Sequence, residues 1–145
     1  MLKDEDMEKT FAIIKPRAVK EKNSGKIIAM IEAAGFDIVC MEKIIVSYKE
    51  AEELYAEHQG KPFYLELVHG LTASPVVIMV LAKENAVKEW RHLMGATDPS
   101  KAESGTVRAL FGTSIGENAA HGSDSVQSAH RECDIFFKNT VQPCC

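Results

Sequence analysis

Seven consecutive apolar residues, Val76–Ala82 (VVIMVLA), restrict the fold more than any other feature of the chain. The run falls far short of the roughly 20 residues that a membrane-spanning helix needs. Its length, with Pro75 in front, suits a buried strand over 75–81, which must sit in a sheet with helices packed against it. Segments of helical period stand on either side. Ile27, Met30, Ile31 and Ala34 recur at helical spacing and stop at Gly35, and Val87, Trp90 and Met94 stop in the same way at Gly95.

Two further strands read from the sequence. Thr10–Lys15 (TFAIIK) is short and ended by Pro16, and Phe36–Val46 is long. Ser47 and Glu50 form a capping box that opens a short helix through Ala51, Leu54 and Tyr55. Lys61-Pro62 begins another helix, with Phe63 and Leu67 on one face. Val126, Ala129, Cys133 and Phe136 or Phe137 mark a last helix, capped by Ser123 or Asp124. Between Ala96 and Gly116 the periodicity fails. That segment, rich in Thr, Ser, Gly and Asp, reads as a long loop with about one helical turn, and long loops in compact domains are often functional. Without repeats or linkers, the alternation of strands and helices gives one domain over 1–145, an α/β or α+β sandwich. Its ends, 1–8 and 139–145, are expected to be flexible.

Charge and cysteine usage exclude several functions. Lys and Arg number 17 against 21 Asp and Glu, so the net charge of −4 provides no global basic field to gather nucleic acid. Met1–Lys9 lacks the apolar core of a signal peptide, which makes a cytoplasmic location the expectation. Cys40 and Cys133 read as small buried hydrophobes, and Cys144-Cys145 as a terminal pair open to oxidation. No Cys-x-x-Cys pair exists and no histidines are spaced to join one, so neither a disulfide framework nor a protein-held metal site is expected.

Familiar phosphate-binding loops are also absent. Around Gly25-Lys26 the first glycine position is Lys20, and Ile27 stands where Ser or Thr belongs. Gly112 and Gly116 lack the strand-turn-helix setting of a dinucleotide fingerprint, and no serine nucleophile elbow occurs. A different phosphate grip remains open: Arg91, Thr97, Thr106 and Arg108 lie in or beside the long loop, and arginine forks suit phosphate oxygens. Next comes Asn118-Ala-Ala-His121-Gly122-Ser123-Asp124, in which small neighbours leave the imidazole approachable. With a reference pKa of about 6.5, a histidine is largely neutral near pH 7 and can attack phosphorus, giving a phosphohistidine and ping-pong kinetics.

At this point the residues resemble a known family. Asn118 to Ser125 (NAAHGSDS) is similar to the active-site segment of nucleoside diphosphate kinases. Ile13-Ile14-Lys15-Pro16, Tyr55–Phe63 (YAEHQGKPF), Gly95–Pro99 (GATDP) and Gly105–Arg108 (GTVR) resemble further family segments in the same order. Glu32–Phe36 (EAAGF) and the short C-terminus look most like bacterial members. The resemblance implies a ferredoxin-like α+β fold, βαββαβ, whose four-stranded antiparallel sheet is covered by helices on one face. Asn118 to His121 would then fall on the last strand.

The implied activity is transfer of the γ-phosphate from ATP to a nucleoside diphosphate. By matched position, His121 would be the nucleophile, phosphorylated on its pros nitrogen, with Glu132 orienting the ring and Tyr55 beside it. Lys15 and Asn118 would bond the ribose 3′-hydroxyl and the migrating phosphate, while Arg91, Thr97 and Arg108 would hold the phosphates. Phe63 would stack on the base opposite Ile115, a contact that tolerates any base. Ser123 would hydrogen-bond Glu132 or cap the helix, and Asp124 would be structural. The implied cofactor is Mg2+, held by nucleotide phosphates and water. The implied assembly is a homo-tetramer or homo-hexamer, with no membrane and no dedicated nucleic-acid partner.

This chain departs from many relatives at Arg17, Ala18, Ser104 and Ala109, none of which is a matched catalytic group. The competing reading is a nucleotide-binding module without catalysis. It would be expected to have lost at least one of Lys15, Arg91, Arg108, Asn118, His121 and Glu132, and all six are present.

Overall fold

The computed structural model describes residues 7–137. Four strands, β1 (Lys9–Ile14), β2 (Asp37–Ile44), β3 (Val76–Ala82) and β4 (Ala120–Gly122), form one antiparallel sheet in the order β2-β3-β1-β4. Helices α1 (Pro16–Lys20) and α2 (Ser24–Ala33) join β1 to β2, and α3 (Tyr48–Leu54) and α4 (Tyr64–Thr72) join β2 to β3. Helices α5 (Ala86–Met94) and α6 (Val107–Phe111) precede β4, and α7 (Val126–Phe137) follows it. This is the ferredoxin-like α+β arrangement.

Helices cover both faces of the sheet, where one face was expected. The reason lies in β1 and β3, which are apolar on both sides of the pleat. Phe11, Ile13, Val76, Ile78 and Val80 pack with Leu54 of α3, Val68 and Leu71 of α4, and Cys133 and Phe136 of α7. The alternate residues Ala12, Ile14, Val77, Met79 and Leu81 pack with Ile27 and Ile31 of α2 and with Trp90 and Met94 of α5. β2 is an edge strand, and Met41 on it is half exposed.

Several local signals act as read. The Glu50 N–H donates to Ser47 Oγ at 3.1 Å while the Ser47 N–H donates to Glu50 Oε1 at 2.9 Å, closing the capping box of α3. Gly35 ends α2 with φ +91°, a conformation that costs glycine nothing.

Other expectations need correction. The stretch from 96 to 116 holds a 3-10 turn at Pro99–Lys101 as well as α6, each capped by its own side chain, Asp98 and Thr106. Helix α4 begins at Tyr64, so Phe63 precedes it and lies off its packed face. The cap of α7 is Ser125, whose Oγ accepts the Ser128 N–H at 3.0 Å, because Ser123 is committed elsewhere. Asn118 precedes the three-residue β4 instead of lying on it. Cys133 is buried as expected, whereas Cys40 is half-buried and disulfide-bonded, against the expectation of no disulfide. Cys144 and Cys145, and most of the residues expected to be flexible, lie outside the described range. No helix among the described residues is long and apolar enough to cross a membrane.

Candidate active site

His121 sits in the middle of β4, opposite Ile13 of β1. Its ring lies edge-on to Phe11, with centroids 6.3 Å apart. One nitrogen, Nε2, is 2.7 Å from Glu132 Oε1, and Ser123 Oγ donates to that same oxygen at 3.1 Å. Glu132 is 5% exposed, so its carboxylate is an acceptor held away from water behind the ring. A carboxylate partner fixes the proton on Nε2 and leaves the lone pair on Nδ1, the pros nitrogen. Burial, reinforced by the Glu132 charge, pushes the neighbouring Tyr55 hydroxyl up to about 12, so it stays a neutral donor.

The approach to β4 is a tight turn. Ala120 N–H donates to Asn118 O at 3.0 Å across Ala119, whose φ is +77°. Three-residue turns of this hand are rare and strained, and such strain gathers at functional sites. Lys15, directly after β1, holds the turn from both its ends: its N–H donates to Ala119 O at 2.9 Å and its Nζ to Asn118 Oδ1 at 2.9 Å. Asn118 Nδ2 in turn donates to Thr97 O at 3.0 Å. Burial, with the Arg108 charge nearby, lowers Lys15 to about 8.

Arg108 on α6 donates from one terminal nitrogen to Gly95 O at 3.0 Å and from the other to Ala120 O at 2.9 Å. It thus clips the end of α5 to the start of β4, beyond the phosphate role expected of it. Its Nε is buried without a partner. Burial and the Arg91 charge lower its guanidinium to about 10, so a buried cation stands near a second one in an arrangement suited to an anion. Arg91 itself is exposed on α5. Asp124 bonds Ser128 and its carboxyl is held below the usual range chiefly by that hydroxyl, with a smaller effect of Arg91.

These groups meet around one cleft. A cavity of about 870 Å3 is lined by Lys15, Tyr55, Phe63, Thr97, Arg108, Ile115, Asn118 and His121. A second cavity of about 940 Å3 shares Thr97, Arg108 and His121 and adds Arg91. Of the expected site residues only Glu132 is off the walls, since it stands behind the histidine. Phe63 is 44% exposed and Ile115 60%, which leaves two apolar faces free at one end of the cleft.

Three side chains matter that sequence reasoning did not single out. His58 lines the cleft with its ring centroid 5.5 Å from that of Phe63, a position within the segment YAEHQGKPF. Arg17, noted only as a departure, pairs at 2.5 Å with Glu117, which lines the cleft. Trp90 donates its indole N–H to His121 O at 3.2 Å. Gly122 also has another purpose than opening a path to the ring: a Cβ there would lie 2.6 Å from Trp90 Cδ1 and Nε1.

A family model described as nucleoside diphosphate kinase matches residues 8–141. The chain belongs to the nucleoside diphosphate kinase family. It is 53% identical over 131 residues to the nucleoside diphosphate kinase of Geobacter sulfurreducens, covering 90% of this chain and 96% of that one. It is 51% identical to that of Bdellovibrio bacteriovorus, covering 91% and 94%. Among solved structures, the apo nucleoside diphosphate kinase of Encephalitozoon cuniculi is 35% identical with a TM-score of 0.90, covering 94% of this chain and 93% of that chain. The enzyme of Halobacterium salinarum in complex with CDP is 37% identical with a TM-score of 0.89, covering 92% and 89%. As a nucleoside diphosphate kinase, the chain is a phosphotransferase acting on nucleotides.

Proposed function

We propose that this nucleoside diphosphate kinase works through a phosphohistidine on His121 Nδ1, in two half-reactions that share one cleft. The observation that carries the reading is the Glu132–His121 bond at 2.7 Å, which commits Nε2 and turns the nucleophilic nitrogen away from the carboxylate. In the first half-reaction the Nδ1 lone pair forms a bond to the γ-phosphorus of a nucleoside triphosphate. The bond to the β,γ-bridging oxygen breaks, and the nucleoside diphosphate leaves with that electron pair. A second diphosphate then attacks the phosphohistidine with its terminal oxygen, and the ring recovers its lone pair.

Lys15, Asn118, Arg91, Thr97 and Arg108 bind the phosphates and the ribose 3′-hydroxyl, supplying fixed charge where the transferring group needs it. Tyr55 donates beside the ring. Phe63 and Ile115 hold the base between two apolar faces, which accepts purines and pyrimidines alike. The donor set in the cleft is cationic and amide- or hydroxyl-bearing, which fits phosphate oxygens better than a bare cation. Mg2+ would therefore be held by the phosphates of the nucleotide and by water, and would supply neutralisation of phosphate charge there. The working protein is a cytoplasmic homo-tetramer or homo-hexamer of one domain, with no dedicated nucleic-acid partner.

The test is initial-rate kinetics with ATP and several diphosphates. Parallel double-reciprocal lines, with rates within about tenfold across bases, support the reading. Intersecting lines, or selectivity above ~10³ for one base, contradict it, because such ratios need a site that hydrogen-bonds the base.

A further inference from the structure

The nucleophile stands on a weak support. β4 has three residues and, among the described residues, lies at the sheet edge and pairs with β1 alone. A strained residue, Ala119, precedes it. Yet phosphoryl transfer requires the His121 ring to hold its place to a fraction of an ångström, since small misplacements cost large factors in rate.

We infer that Trp90 is a positioning residue for the nucleophile, gripping the backbone of β4 from the face opposite Glu132. Glu132 reaches the ring from α7, on the side of the sheet that holds Phe11 and Phe136. Trp90 reaches the same residue from α5, on the other side, among Ile14, Met79 and Met94. Its side chain is fully buried, and its only polar atom is spent on the His121 carbonyl at 3.2 Å. The indole packs against Gly122 so closely that any side chain there would collide with it. One grip sets the ring nitrogen and the other sets the main chain from which the ring hangs. Loosening the second lets the ring drift from the carboxylate, so both neutral tautomers become populated and less of the enzyme presents a lone pair on Nδ1.

This inference deepens the proposed phosphohistidine mechanism and rests on it. Trp90 is the single tryptophan, so global replacement of tryptophan by 3-benzothienylalanine changes only this position. The analogue keeps the bicyclic shape and puts sulfur where the N–H was. Nitrogen-15 shifts of His121, assigned against His121→Asn, report its tautomer without any turnover. We expect the native protein to show the Nε2–H form alone and the analogue protein to show both. The phosphorylation rate should fall about 2- to 10-fold with KM unchanged, the size of one neutral hydrogen bond. An unchanged tautomer with an unchanged rate overturns the inference, as does a fall in melting temperature with the tautomer and rate intact. If the tautomer responds but neither protein makes a phosphoenzyme, the proposed function fails and the positioning role stands.

Discussion

Glu132 Oε1 lies 2.7 Å from His121 Nε2, and the hydroxyl of Ser123 braces the same oxygen at 3.1 Å. The pair joins α7 to β4 and decides which ring nitrogen is free. Glu132→Gln keeps the shape and removes the charge. A hydrogen bond to a charged group contributes about 1.5–3 kcal/mol, so phosphoenzyme formation should slow by about 10- to 150-fold in rapid-quench experiments. Nucleotide KM should change little, because no nucleotide contact is altered.

Lys15 titrates at about 8 in the folded protein and near 10.5 when unfolded. Its ammonium is the form that binds phosphate, so kcat/KM should decline as pH rises above about 8. The stability effect has the opposite sense. Between those two values the unfolded chain holds the proton that the folded chain has given up, so stability gains with rising pH from this residue. Lys15→Met should lose about 100-fold in activity, the scale of one lost preorganised donor. The wild-type-minus-variant difference in denaturation midpoint should increase from pH 8 to 10.5.

Phe63 offers an apolar face at the open end of the cleft. Base–aromatic stacking contributes about 1–3 kcal/mol, so Phe63→Ala should raise KM by roughly 5- to 150-fold. The rise should be similar for purine and pyrimidine diphosphates, with a smaller effect on kcat. Steady-state assays with four bases would check this, and an effect confined to one base would not fit.

Gly122 is constrained by packing. A methyl group there would meet Trp90 at 2.6 Å and Met94 Cε at 2.5 Å. Gly122→Ala should destabilise the protein by about 1–3 kcal/mol in denaturant titrations, as overpacked cores do.

Much of the fold was legible because its signals are local. A capping box at Ser47 and Glu50, a stop at Gly35 and a seven-residue apolar strand each depend on neighbours in sequence. The active-site segment was legible by resemblance, in the run from Asn118 to Ser125. What was hidden depends on distant partners. Short helices such as α1 and α6 span five residues each, too few for a periodicity to register. Ser123, Asp124 and Ser125 are all plausible caps, and only the position of Glu132 on α7 decides that Ser123 serves the carboxylate. Arg108 bonds carbonyls of Gly95 and Ala120, and Trp90 bonds His121, across separations that no spacing rule reveals.

In the proposed reaction His121 carries the phosphate. Brief incubation with γ-labelled ATP and Mg2+, followed by acid or base treatment, tests it most directly. His58, His69, His92 and His130 are the other candidates; His58 lines the first cavity of the cleft and His92 the second, while His69 and His130 line neither. The label should be stable in base, lost in acid, and absent from His121→Asn, which should also fail to turn over. An acid-labile phosphoenzyme with normal turnover in His121→Asn would contradict it.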